Sequence, residues 1–158
     1  MKRFLSTKLL IATLALLAGS IAVTATERPF AANGKGVVTF ILEGSGNPIG
    51  AEIIGSGNAT DLGLFTNTGR VLFTPDPNNP IIVRPSGDGT FTAANGDKLY
   101  FTVQDGELNV STGIGTGHFN ISGGTGRFAN ASGILAFVIE QNLLSGGYEV
   151  TIVGSIDY

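Results

Sequence analysis

The chain has 158 residues, no cysteine and a formal net charge of −3, so disulfides, thiolate nucleophiles and thiolate metal sites are excluded. Three of its nine basic residues and none of its twelve acids lie in residues 1–25, which leaves a formal charge of −6 on the rest. An acidic chain without a basic run lacks the electrostatic footprint of a nucleic-acid-binding or anionic-membrane-binding protein. No nucleic-acid partner is therefore expected.

Residues 1–25 have the pattern of a cleaved signal peptide. Basic residues up to Lys8 precede an apolar run, Leu9–Ala18, that is short for a membrane span. Val23 and Ala25 place small residues at the −3 and −1 positions of a cleavage site, so cleavage is predicted after Ala25. The expected location is secreted or periplasmic in a bacterium, without a permanent membrane anchor. The alternative is an uncleaved, anchored helix.

The next residues are predicted as an N-terminal arm (26–35), followed by a single domain at 36–158. Gly36–Glu43 is the first expected strand, and its two faces are both largely apolar. Glycine-rich turns are predicted to break the following strands. They are expected at 55–58, 67–69, 86–89 and 105–106, with a proline-rich exposed loop at 75–80 and a hairpin turn at Asn95-Gly96.

The C-terminal half shows the clearest strand periodicity. Lys98–Gln104 alternates apolar and polar residues, as does Tyr148–Tyr158, while the strand predicted at Ile134–Gln141 is apolar on both faces from Ile134 to Ile139. No helical apolar period of useful length follows residue 25. Strands at short, regular spacing predict an all-β antiparallel meander, closed as a barrel or paired as a sandwich. A closed barrel of about eight strands is favoured, since closure removes apolar edge strands.

Two stretches resemble a known family. Ile121–Gly133 (ISGGTGRFANASG) and Asp61–Asn67 (DLGLFTN) are similar to segments of the allene oxide cyclase-like barrel group, which includes the allene oxide cyclases and the dirigent proteins. The resemblance implies an eight-stranded barrel with an apolar cavity, often assembled as a homotrimer. In the cyclases the cavity folds a fatty-acid epoxide into a ring, and in dirigent proteins it orients coupling phenoxy radicals.

The resemblance also suggests ligand-binding residues. Asn67 matches the asparagine of the cyclase F-T-N stretch, Pro48 resembles a proline after the first strand, and Glu43 lies nearest to the cyclase acid. The cyclase cysteine is absent, and no catalytic residue is predicted. The leading hypothesis is a secreted, non-catalytic barrel that holds a small apolar ligand or has a structural role. The alternative is a cyclase, isomerase or guide acting on a fatty-acid or phenolic intermediate. A carbohydrate-binding module is disfavoured because the chain has no tryptophan.

The remaining polar candidates favour ordinary structural roles. His118 is the only histidine, so no histidine metal cluster is expected, and neither a metal nor a cofactor is predicted. His118 is placed on the outer face of its strand, and Glu140 at a solvated strand end. Arg127 is expected to bind loop carbonyls. A Glu52 or Glu140 side chain directed into the barrel would favour the enzyme hypothesis, because an apolar cavity raises a carboxyl pKa.

Overall fold

The computed structural model describes residues 26–158, and the predicted leader lies outside the described residues. The fold is all-β, with one turn of 3₁₀ helix at Gly126–Phe128. The strands are β1 (Arg28–Leu42), β2 (Pro48–Ala59), β3 (Gly63–Asp76), β4 (Asn79–Ala93), β5 (Lys98–Asn109), β6 (Ile114–Gly124), β7 (Ser132–Gln141) and β8 (Gly147–Asp157). In this part of the chain, no helix is long and apolar enough to cross a membrane.

The eight strands form a closed antiparallel barrel in sequence order. Each strand pairs with its neighbours along the chain, and β8 closes the barrel against β1, from Arg28 opposite Ile156 to Val37 opposite Gly147. Each described strand therefore has a partner on both sides, which leaves no open sheet edge. The predicted eight-stranded barrel is confirmed.

The N-terminal arm expected at 26–35 is wrong for residues 28–35. These residues form the first half of β1 and pair with both β2 and β8. Phe30 and Ala32 point into the barrel and are each 2% exposed. The reason is topological, since β8 needs a neighbour to close the barrel and this segment provides it.

Three of the predicted glycine turns, at 55–58, 67–69 and 86–89, are also wrong. They lie inside β2, β3 and β4. The glycines make room for rings inside the barrel: a Cβ added to Gly57 would lie 2.8 Å from Phe65 Cζ, and one added to Gly89 would lie 2.9 Å from Phe101 Cε1. In these strands, a glycine marks a place where a neighbouring group lies close to the backbone, and not a place where the chain changes direction.

The predicted turn at 105–106 is a β-bulge within β5. Asp105 has φ 51°, and the pairing with β6 shifts between Gln104 and Glu107. The extra residue moves the buried positions from odd-numbered Phe101 to even-numbered Leu108. Asn95-Gly96 does form the predicted hairpin turn, in which the Ala93 N–H donates to the Asp97 carbonyl at 2.8 Å. The proline-rich loop expected at 75–80 is reduced to residues 77–78, between β3 and β4.

Side chains fill the two ends of the barrel unequally. Near the 3₁₀ helix, Leu99, Phe128, Leu135 and Ile156 are fully buried and close that end. Toward the opposite end a second cluster contains buried Val38, Ala51, Val71 and Tyr148, with partly exposed neighbours such as Phe40 and Phe73. The barrel is therefore filled at one end and more open at the other.

Candidate functional site

A cavity of about 100 Å³ lies inside the barrel, toward its more open end. Most of its lining is apolar and includes Val71, Phe101, Phe119, Phe137 and Ile139. A dry, apolar cavity of roughly 150 Å³ is known to hold benzene, and typical drug-sized pockets measure about 300–1,000 Å³. The space therefore suits a single small ring or a short chain.

A row of phenyl rings forms one wall of this cavity. Ring centroids are 4.6 Å apart for Phe91 and Phe101, 4.5 Å for Phe101 and Phe119, and 4.4 Å for Phe119 and Phe137. Such spacings are favourable for aromatic pairs. Since the four rings come from four successive strands, β4 to β7, they form a continuous apolar surface for a flat ligand.

Asn67 and Tyr148 form a hydrogen-bonded polar pair inside the barrel. Asn67 Nδ2 lies 3.1 Å from the Tyr148 hydroxyl, which lies 3.3 Å from Asn67 Oδ1. The pair depends on glycines: a Cβ on Gly36 would lie 2.8 Å from Tyr148 Cε1, and one on Gly55 would lie 2.6 Å from Asn67 Oδ1. Burial raises the pKa of Tyr148, so its hydroxyl stays neutral at physiological pH.

Gln141 contributes an unpaired amide to the same cavity. It follows Leu135, Phe137 and Ile139 on the inward face of β7, and it is 8% exposed. Its backbone is fixed, because the N–H donates to the Gly113 carbonyl at 2.8 Å. Its side-chain Nε2 is buried and has no hydrogen-bond partner among residues 26–158. A buried amide without a partner is rare in folded proteins.

Two solved structures of dirigent proteins resemble this barrel. The pterocarpan synthase dirigent protein PsPTS1 is 16% identical, with a TM-score of 0.51 over 86% of this chain and 96% of its own. The pterocarpan synthase dirigent protein GePTS1 is 15% identical, with a TM-score of 0.53 over 91% of this chain and 99% of its own. The chain has the fold of the dirigent proteins.

The resemblance read from the two sequence stretches is thereby confirmed at the level of fold. Sequence comparison with protein-family models gives no match, and comparison with curated proteins gives none either. At these identities the likeness concerns the fold alone, and function depends on the side chains inside this dirigent-type barrel.

Of the three predicted ligand-binding residues, the structure places one at the cavity. Asn67 lines it, whereas Pro48 is exposed at the start of β2. Glu43 lies beyond the end of β1 in an exposed loop, where it accepts hydrogen bonds from Ser45 Oγ at 2.6 Å and Asn47 Nδ2 at 3.0 Å. These bonds lower the Glu43 pKa. Neither Pro48 nor Glu43 lines the cavity, because β1 ends before Glu43 and the chain turns outside the barrel.

The two acidic side chains considered for catalysis, Glu52 and Glu140, do not line the cavity. Glu52 and Glu140 are exposed. Glu107 borders the cavity, but its carboxylate contacts Arg84 Nη1 at 2.7 Å and is about half exposed. Arg84 also bonds the Asp76 carboxylate at 2.8 Å and holds its pKa below the usual value. These charges form a surface ion-pair network.

Two structural expectations are confirmed. His118 is exposed on the outer face of β6. Arg127 Nη2 donates to the Asp61 carbonyl at 2.8 Å, as expected of a residue that fixes a loop.

Sequence reasoning missed Gln141 as a cavity residue and Tyr148 as the hydrogen-bond partner of Asn67. The signal for Gln141 was present, because it continues the period-two series of Leu135, Phe137 and Ile139. Glu140, the neighbouring acid considered for catalysis, has its side chain on the opposite face of β7. The partnership of Tyr148 with Asn67 joins residues 81 positions apart and depends on the barrel register.

Proposed function

We propose that the chain is an exported barrel that binds one small apolar molecule in its interior cavity and does not catalyse a reaction. The observation that supports this most directly is the cavity itself, which is apolar and closed at one end by the side chains around Phe128. An aromatic wall favours a planar or ring-containing ligand. The volume of the cavity restricts the ligand to about the size of a single ring.

The chemistry of the lining favours binding over catalysis. Acid–base catalysis needs a group that exchanges a proton near the working pH. Among the described residues, Asn67, Tyr148 and Gln141 are the neutral polar side chains in and beside the cavity. The one charged lining residue, Glu107, is held in an ion pair with Arg84. The raised pKa of Tyr148 makes it a weaker acid.

The second candidate is a guide or isomerase acting on a phenolic or fatty-acid intermediate. The similar structures are described as pterocarpan synthase dirigent proteins. In this chain the Asn67–Tyr148 pair could hold an oxygen of such an intermediate. Turnover of the bound molecule by the purified protein would favour this candidate over simple binding.

The binding proposal is tested with two matched substitutions on β2. Ile53 lines the cavity, whereas its neighbour Ile54 is 66% exposed on the outside. Ile53→Phe fills the cavity, and Ile54→Phe adds the same atoms outside it. With toluene as the probe and calorimetry as the assay, the wild type and Ile54→Phe should bind, and Ile53→Phe should bind at least about tenfold more weakly.

Two results would contradict this proposal. One is a wild-type barrel that does not bind toluene or other single-ring hydrocarbons. The other is a folded Ile53→Phe variant that binds toluene as tightly as Ile54→Phe. Native mass spectrometry of protein purified from its own extracytoplasmic fraction would then identify the natural ligand.

Export is part of the proposal and rests on the leader pattern of residues 1–25. N-terminal sequencing of the protein recovered outside the cytoplasm should begin at Thr26. Recovery of an uncleaved chain in the membrane fraction would contradict it.

We also propose that the barrel forms a homotrimer through its outer apolar face. Ile134, Val138 and Val153 are 61%, 47% and 53% exposed on the neighbouring strands β7 and β8. Exposed apolar residues in one patch commonly mark an interface. Light scattering of the mature protein should give three times the monomer mass, and a monomer would contradict the assembly.

A further inference from the structure

We infer that Gln141 binds the polar end of the ligand, so that the cavity selects small, neutral, apolar molecules that carry a hydrogen-bond acceptor oxygen. A ketone, ester or ether would fit this description. The inference rests on the proposed binding function and specifies which ligands that function concerns.

The first observation is that Gln141 has a free donor in a buried place. The residue is 8% exposed, and its Nε2 has no hydrogen-bond partner among the described residues. An amide nitrogen carries two N–H donors. Burying such a group without a partner is unfavourable, and a ligand oxygen at this position would supply the missing hydrogen bond.

The second observation is that Asn67, the other neutral polar residue that lines the cavity, already has a hydrogen-bond partner. The Asn67 amide and the Tyr148 hydroxyl lie within hydrogen-bond distance of each other, at 3.1–3.3 Å. In the barrel register Gln141 lies directly opposite Tyr148 on β8, yet it makes no hydrogen bond with it. Among the described residues that line the cavity, Gln141 is therefore the one whose buried amide nitrogen has no hydrogen-bond partner at all.

The lining also determines the charge of the ligand. Among the described residues that line the cavity, Glu107 alone is charged, and its carboxylate is bound to Arg84. A carboxylate ligand would find no cation inside the barrel, and burying an unpaired charge is strongly unfavourable. A neutral carbonyl or ether oxygen meets the Gln141 donor without this penalty.

The position of Gln141 then fixes the orientation of the ligand. Gln141 lies at the end of β7 that faces the open end of the barrel, and Phe119 and Phe137 lie deeper. The oxygen would point toward the open end, and the apolar body would pack against the phenyl rings.

The test compares two molecules of the same shape, cyclohexanone and methylenecyclohexane, which differ in a carbonyl oxygen. The wild type should bind the ketone about tenfold more tightly, which corresponds to one hydrogen bond. Gln141→Leu should lose this preference while it still binds the hydrocarbon. The control is Gln104→Leu, because Gln104 is the other glutamine in the chain and is exposed; this variant should keep the preference.

A second measurement needs no variant. In ¹⁵N-labelled wild-type protein, the Gln141 side-chain NH₂ resonances should shift with cyclohexanone and stay in place with methylenecyclohexane, while those of Gln104 stay unchanged with both. Equal wild-type affinity for both molecules, or an unshifted Gln141 NH₂ pair in the ketone complex, would overturn the inference and leave the binding function intact. Failure of the wild type to bind either molecule would overturn the binding function itself.

Discussion

Replacing Gln141 by leucine should stabilise the empty barrel, which is an unusual expectation for a buried position. The substitution removes the unpaired Nε2 and places an apolar side chain of similar size among Leu108 and Ile139, which line the same cavity. Most substitutions in a protein interior are destabilising. Here the native Gln141 has a buried N–H donor without a partner, which is unfavourable, and the leucine variant lacks that donor.

The magnitude follows from the burial of that amide. Leaving a buried donor unsatisfied costs about 1–3 kcal/mol, and Gln141 is 8% exposed, so nearly the full penalty applies. Branching at Cγ gives leucine a different shape, and swaps of similar volume usually cost less than about 1.5 kcal/mol. The expected net gain is about 1–2 kcal/mol in the free energy of unfolding.

Urea denaturation at neutral pH, without ligand, measures this difference. Gln104→Leu is the matched control, since an exposed position should change the free energy of unfolding by less than about 0.5 kcal/mol. A loss of more than about 1 kcal/mol in Gln141→Leu, with an unchanged control, would refute the reasoning. It would mean that the amide is satisfied in solution and that the wild type has no free donor in the cavity.

Three further predictions concern the packing and the tyrosine. Gly55→Ala should lower the free energy of unfolding by about 1–3 kcal/mol in urea denaturation, because its Cβ would displace the Asn67–Tyr148 pair; in Gly69→Ala the nearest atom lies 3.2 Å away, so an equal loss there would contradict this explanation. Phe128→Ala should cost about 3–5 kcal/mol in the same assay, since its ring is fully buried, and a loss below about 1 kcal/mol would show that this end is not tightly packed. Burial raises the pKa of Tyr148 above 10.0, so the stability that the neutral hydroxyl provides below that pH should be lost as the pH rises through the folded-state pKa. The urea midpoint should therefore fall less between about pH 8 and pH 11 in Tyr148→Phe than in the wild type. An equal fall in both proteins would exclude Tyr148 as a source of the loss.

The barrel can be predicted well from the sequence because the features that indicate it are local. The alternation at Leu99, Phe101 and Val103 and the Asn95-Gly96 turn depend on residues close together in the chain, and both features appear in the structure as predicted. The short, regular strand spacing was enough to infer an antiparallel meander.

The glycines show where local evidence fails. The sequence predicts Gly57 and Gly89 as turn residues because glycine is common in turns, but they lie in strands beside Phe65 and Phe101. A glycine that turns the chain and one that makes room for a ring are identical in sequence. The difference depends on which residue of the next strand lies opposite, and therefore on the register.

The candidate site was predicted less completely for the same reason. Asn67 could be found from a family resemblance, whereas the unpaired state of Gln141 depends on every polar group within its reach. The family resemblance points to Glu43 as the residue nearest to the cyclase acid, yet β1 ends at Leu42 and leaves Glu43 in the loop. The inward face of a strand can be read from sequence, but hydrogen-bond partners across a barrel require three-dimensional coordinates.

The filled end around Phe128 affects how quickly a ligand can exchange. With Leu99 and Leu135 fully buried beside it, that end offers no passage, so entry and departure share one route at the opposite end. That route passes the loops at 43–47 and 142–146. Substitutions in these loops should change the association and dissociation rate constants by the same factor and leave Kd unchanged, whereas substitutions at the cavity wall should change Kd. Residence time and affinity are thus controlled by different parts of this barrel.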